Sequence, residues 1–188
     1  RTAGVLDVKM SEPNAEKFRM RGGIGLISNR LHMEIPIVKE KLAWMTSGRF
    51  SFNEYLVRFY NGVLYGPIAN KRLPNNKPVF FDFANKVVWR PTNRDNISLT
   101  SYVSYDSYRV DSLFSIANIV PRQSTMQYGH NNLALRWNRS ISEQMNLNVL
   151  AVQSLYNTST SAEDVKVGFD FDTRLRYHNV KGELTYAP

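Results

Sequence analysis

Cysteine is absent from the 188 residues, which rules out disulfide staples, zinc–thiolate centres and thiol catalysis. No run of about 18 apolar residues occurs, so no membrane-crossing helix is encoded. Histidine is nearly as scarce. His32, His130 and His178 fall in separate segments without metal-ligand spacing and read as polar wall or turn residues. No nucleophile, acid and base group together in the sequence, so neither a catalytic residue nor a metal or cofactor site is expected. Gly22-Gly23-Ile24-Gly25 lacks the helix pattern and the Lys-Ser/Thr ending of a phosphate loop. It reads instead as thinned strand that lets another backbone approach.

Charge is plentiful and one-sided. Twenty-four Lys and Arg against 16 Asp and Glu give +8 and a pI near 9.8. The cations are scattered singly along the chain rather than gathered into a patch. That argues for a cationic interior and loops facing anionic surroundings, and against a nucleic-acid interface.

The informative pattern is alternation. In residues 169–177, Phe169, Phe171, Leu175 and Tyr177 share one face of an extended strand, and Asp170, Asp172, Arg174 and Arg176 share the other. Similar files run through residues 5–10, 18–26, 31–37, 42–52, 81–90, 97–106, 133–138 and 147–151, and residues 182–186 begin another strand. Several reach the roughly 9–11 residues that a membrane-crossing strand needs. Mean hydropathy is only −0.38, as expected when every second residue is polar. The fold class is therefore all-β: antiparallel strands of a transmembrane barrel, with eight strands visible and the start of a ninth.

Connections from Lys39 onward alternate short and long. Short turns are expected near Lys39, Asn93, Ser142 and Asn179, the last spanning residues 178–181. Long loops are expected at residues 55–78, 110–127 and 158–165, around Tyr65, Ile116 and Ser161. Outer-membrane barrels carry short turns on the periplasmic side and long loops outside. An Arg or Lys facing lipid at mid-bilayer costs about 2–4 kcal/mol. Lys86, Arg136, Asp170, Asp172, Arg174 and Arg176 are thus assigned to the lumen wall, and Val87, Leu135 and Phe171 to lipid. Trp44, Trp89, Trp137 and Tyr177 lie beside the short turns, where an aromatic girdle belongs. Asp170 and Asp172, about 7 Å apart by strand rise, read as offsets to the neighbouring arginines rather than an acid pair.

Specific stretches carry a family resemblance. Gly4-Val5-Leu6-Asp7-Val8-Lys9-Met10, then Phe18 through Gly25-Leu26-Ile27-Ser28 and Arg30-Leu31, resemble TonB-dependent outer-membrane receptors of Bacteroidetes type. Ser47-Gly48-Arg49, Phe81-Asp82-Phe83-Ala84-Asn85-Lys86-Val87 and Leu135-Arg136-Trp137-Asn138 resemble later strands of that family. Ile35-Pro36-Ile37 departs from the family's usual Gly-Pro at that strand end. The resemblance implies that residues 1–14 end a plug domain and its linker, and that residues 15–188 are the first part of a barrel of about 22 strands. The chain, opening and closing in mid-pattern, reads as a fragment. Implied function is active uptake of a scarce solute across the bacterial outer membrane. Implied partners are outer-membrane lipid and lipopolysaccharide, the rest of the barrel and plug, a TonB-type energy transducer and a surface lipoprotein.

Candidate solute contacts are loop residues Tyr60, Tyr65, Asn70, Lys71, Arg72, Tyr108 and Arg122, because binding residues concentrate on loops held by a rigid scaffold. Two other readings remain open: a barrel serving a secretion or surface-assembly complex, and a soluble all-β domain binding carbohydrate or nucleic acid.

Overall fold

Extended segments leave every backbone N–H and C=O to be satisfied by a neighbouring strand. In the computed structural model, which describes residues 10–51, 59, 62–63, 77–111, 121–164 and 168–187, a single antiparallel sheet does this. Its eight strands are β1 (Arg19–Ile24), β2 (Ser28–Val38), β3 (Leu42–Ser51), β4 (Lys77–Trp89), β5 (Asp95–Asp111), β6 (Pro121–Ser140), β7 (Met145–Asp164) and β8 (Gly168–Tyr186). Each pairs with the next in chain order, so the sheet is a plain meander with β1 and β8 as its edges. The protein is all-β, as the alternation implies. The expected strand at residues 5–10 lies outside the described residues except for Met10, which is not in a strand.

Short turns at residues 39–41, 90–94 and 141–144 lie at one end of the meander, matching expectation. At the first of them Glu40 carries φ 62°, the one positive φ among the described non-glycine residues. At the opposite end, strands replace much of the expected loop. β6 and β7 run 20 residues each, and Ser161 pairs with Thr125 on one side and Asp170 on the other. Only residues 165–167 separate β7 from β8. The Ser/Thr-rich stretch after Ser154 breaks hydrophobic alternation, yet its backbone still completes the ladder. A strand that is polar on both faces keeps its backbone pairing while showing no hydrophobic period.

The expected turn at residues 178–181 is absent. β8 passes straight through it, with His178 opposite Gln153 and Lys181 opposite Leu150. The stretch at 182–186 is therefore the end of β8 and not a ninth strand.

Little of the molecule is enclosed. Ala43, Met45 and Val88 are buried on one face, under residues 10–18, which cross the sheet before β1 begins. Large apolar side chains are otherwise open on the sheet surface, among them Trp89, Leu99 and Leu135 at 48, 44 and 48% exposure.

Candidate functional site

Residues directly opposite in an antiparallel ladder point to the same face. Following the register across the sheet, Ile35, Trp44, Val87, Leu99, Leu135, Ala151 and Val180 stand side by side. Towards the short turns the next row is Leu42, Trp89, Ile97, Trp137, Val149 and Gly182. Away from them, Phe83 and Val103 pair, then Phe81 and Tyr105, whose rings stack at 5.8 Å. On β4 and β5 this face is largely apolar, interrupted by Asn85 and Ser101, whereas at the height of Phe83 and Phe81 β8 carries Arg176 and Arg174. Trp44 donates through Nε1 to Asn85 Oδ1 at 3.3 Å, and Asn85 Nδ2 donates to Ser101 Oγ at 3.5 Å, while the buried Thr46 hydroxyl opposite Asn85 has no partner among the described residues.

Higher on the same face the chemistry changes across the sheet. Ser107, Gln127, Ser159 and Asp172 form one row, and Arg109, Thr125, Ser161 and Asp170 the next. One face is thus apolar near the short turns and polar beyond, with the change coming lower on β6 and β8, after Leu133 and Val180, than on β5, where Tyr105 is the last outward apolar residue.

The opposite face carries Lys86 and Arg136, which the register places together as expected. The other four expected members of that group are a correction. Asp170, Asp172, Arg174 and Arg176 pair with Ser161, Ser159, Asn157 and Leu155, which puts them on the face of Leu135. Phe171 and Leu175, opposite Thr160 and Tyr156, sit on the face of Lys86 and Arg136. A strand's own sequence fixes which residues share a face; only register fixes which face that is, and a one-residue offset inverts the assignment.

Trp89 and Trp137 flank Ile97 in one row, and Trp44 lies in the adjacent row. Tyr177, opposite Ser154, is on the other face and farther from the short turns, so it does not belong to that girdle.

Of the expected loop contacts, Tyr60, Tyr65, Asn70, Lys71 and Arg72 lie outside the described residues. Tyr108 and Arg122 are strand residues, Tyr108 opposite Pro78 and Met126, and Arg122 at the register shift between Pro121 and Gln123. Among the described residues no group of three or more His, Asp or Glu converges as a metal site.

Two arrangements escape a purely sequential reading. The first is the crossing of residues 10–18 over the charged face. Lys86 Nζ donates to the Met10 carbonyl at 3.0 Å, and Glu34 Oε2 accepts from the Asn14 amide at 2.7 Å. Arg90 pairs with Glu12, whose other oxygen accepts from Asn96 at 3.5 Å, while the Glu40 amide donates to the Ala15 carbonyl at 2.9 Å. The second is a polar and aromatic cluster farther up that face. Asp82 takes Arg49 through Nε at 2.6 Å and a second guanidinium nitrogen, and accepts from Tyr102 Oη at 3.0 Å. His130 meets Tyr102 and Tyr156 edge-on at 6.5 and 5.6 Å. His32 contacts Ser47 Oγ at 2.8 Å and Glu34 at 3.2 Å. The sequence did carry a signal for that last contact: His32 and Glu34 are two apart, hence on one strand face.

Compared with family models, curated proteins and solved structures, the chain matches none. Its function has to be argued from the two faces.

Proposed function

We propose that this sheet is part of the wall of a transmembrane β-barrel in a bacterial outer membrane, belonging to a TonB-dependent receptor that takes up a scarce solute. The observation that carries the reading is that the same face turns from apolar near the short turns to polar beyond on each of β5 to β8. From Trp89 to Phe81 on β4, and from Ile97 to Tyr105 on β5, the apolar band covers about 9 residues, the length of a tilted crossing strand. A soluble sheet leaving that much contiguous apolar surface open would be an aggregation hazard. In hydrocarbon the same surface is at rest.

The other features support the same reading. Trp89 and Trp137 lie in the row nearest the short turns, at the depth of an interfacial aromatic belt. Lys86 and Arg136 on the opposite face would line an aqueous interior together with Tyr102 and His130. Residues 10–18, folded over that interior at the short-turn end, occupy the position of a linker from a preceding plug. β1 and β8 would pair with further strands of the same protein, since open sheet edges do not persist in a bilayer.

The test is fractionation of the intact protein with its own export signal. Recovery in the outer membrane, with a folded band that migrates differently after boiling in detergent, is the expected result. Recovery as a folded species in detergent-free buffer would refute the barrel. Uptake is then assayed with and without the energy transducer; transport or surface export that persists without it favours a secretion barrel over a receptor.

A further inference from the structure

Across β1, β2 and β3 the charged face brings three arginines together. Arg30 stands directly opposite Arg49, and Arg21 stands opposite His32, one step diagonally from Arg30. Like charges directly opposite in a ladder destabilise it. Arg49 is relieved by Asp82. Glu34, the nearest other acid, is engaged by His32 and the Asn14 amide. Among the described residues, no acid lies within ion-pair distance of Arg21 or Arg30. Both line a concavity of about 520 Å³, shared with His32, Ser47, Arg49 and Asp82.

Gly23 makes this arrangement possible. It is the direct partner of Arg30, and a Cβ there would lie 3.1 Å from Arg30 Nε. Arg30 therefore lies across the bare glycine, towards the strand that carries Arg21 and away from Arg49. That is the posture expected of two guanidinium groups held open by repulsion on one side and free space on the other.

We propose that this concavity binds a small multivalent anion, a polycarboxylate or polyphosphate, between Arg21 and Arg30, with Arg49 at its rim. The planar guanidinium fork matches a carboxylate or phosphate in two-point contact, and two uncommitted forks on adjacent strands favour a ligand with at least two such groups. The Asp82 carboxylate at the edge repels an anion seated too far towards β4 and sets the limit of the site. The volume falls in the range of small-molecule pockets. The site rests on the barrel reading only for the route by which the anion arrives; the pocket itself needs no membrane.

Calorimetry on the intact protein purified in detergent, with citrate and tripolyphosphate as separate probes, tests the proposal. Saturable binding of one or both is expected, weakening as ionic strength rises. The tighter probe identifies the anion class. Arg30→Gln and Arg21→Gln should each weaken binding about tenfold or more, the loss expected when one charge-assisted contact is removed. Arg30→Lys, which keeps the charge but loses the fork, should also weaken it. Lys181→Gln makes the same charge change on the same face far away on β8 and should leave binding within about twofold. Gly23→Ala should displace Arg30 and weaken binding without removing any charge. Boiling-dependent migration confirms that each variant is folded. No saturable binding, or equal losses from Arg30→Gln and Lys181→Gln, would overturn the site. Extraction without detergent would instead defeat the membrane reading and leave the binding result standing.

Discussion

Replacing Val180 with Arg should cripple membrane assembly, whereas replacing Phe171 with Arg should be nearly silent. Val180 pairs with Ala151 in the row of Leu135, Leu99 and Val87, inside the apolar band and one row in from Trp89 and Trp137. Phe171 sits about 30 Å farther along β8, on the opposite face, opposite Thr160. An Arg facing lipid costs about 2–4 kcal/mol at mid-bilayer and about 0–1 near the interface, so at this depth a cost of about 1–3 kcal/mol shifts the folded-to-unfolded ratio about 5- to 150-fold. An Arg at Phe171 would face water beyond the band, where exposed substitutions stay within about 0.5 kcal/mol, roughly twofold. Alternation within residues 169–177 alone predicts the reverse order, because it sends Phe171 into lipid. The assay is urea titration of the intact protein folded into lipid vesicles, with the folded fraction read from boiling-dependent migration. If Phe171→Arg proves the more damaging, the register of β7 against β8 is wrong, and with it the placement of every charged residue on β8.

Asn85→Ala removes the acceptor of the Trp44 indole and the donor to Ser101 inside the apolar band. It should destabilise the folded protein by about 1–2 kcal/mol, read in the same titration, and Asn85→Leu should cost less because its side chain fills the space that Ala leaves empty. Arg90→Ala releases Glu12 from a partly exposed pair and should cost about 0–1 kcal/mol globally, while hydrogen exchange in residues 10–18 rises measurably. Unchanged exchange there would mean the crossing is held by the buried Pro13 and the backbone contacts alone. Gly25→Val places a Cβ 2.9 Å from the Ser28 carbonyl in the β1–β2 turn and should destabilise by about 1–3 kcal/mol; an unaffected midpoint would show that the turn relaxes freely.

Much of the architecture could be read from the residues, for a definable reason. Side-chain period gives strand identity directly, and turn residues at 39–41, 90–94 and 141–144 announce the tight connections. The grouping of Lys86 with Arg136, and of Trp89 with Trp137, followed because those strands keep one parity from the turn upward. The site was less legible. Arg21, Arg30 and Arg49 come from three strands, and nothing local reveals that Arg30 faces Arg49 or that Gly23 leaves room beside it. Such juxtapositions are properties of register, which no single strand contains.

β8 shows why the failure took the form it did. Its apolar residues fall on odd positions from Phe169 to Tyr177 and on even positions from Val180 to Tyr186. A parity change inside a run normally marks a turn or a bulge, which is why alternation predicts a turn at residues 178–181. Yet that stretch has neither Gly nor Pro, and its backbone pairs without interruption against Leu150 to Gln153. The strand stays straight while its surroundings change. On the proposed barrel reading, the exposed face near the short turns would meet hydrocarbon and must be apolar. Higher up it would meet water, and apolar residues move to the face that Tyr156 and Thr160 share. On this argument a parity switch without turn residues marks the water boundary of a crossing strand, and on β8 it falls level with Leu133, the last outward apolar residue of β6.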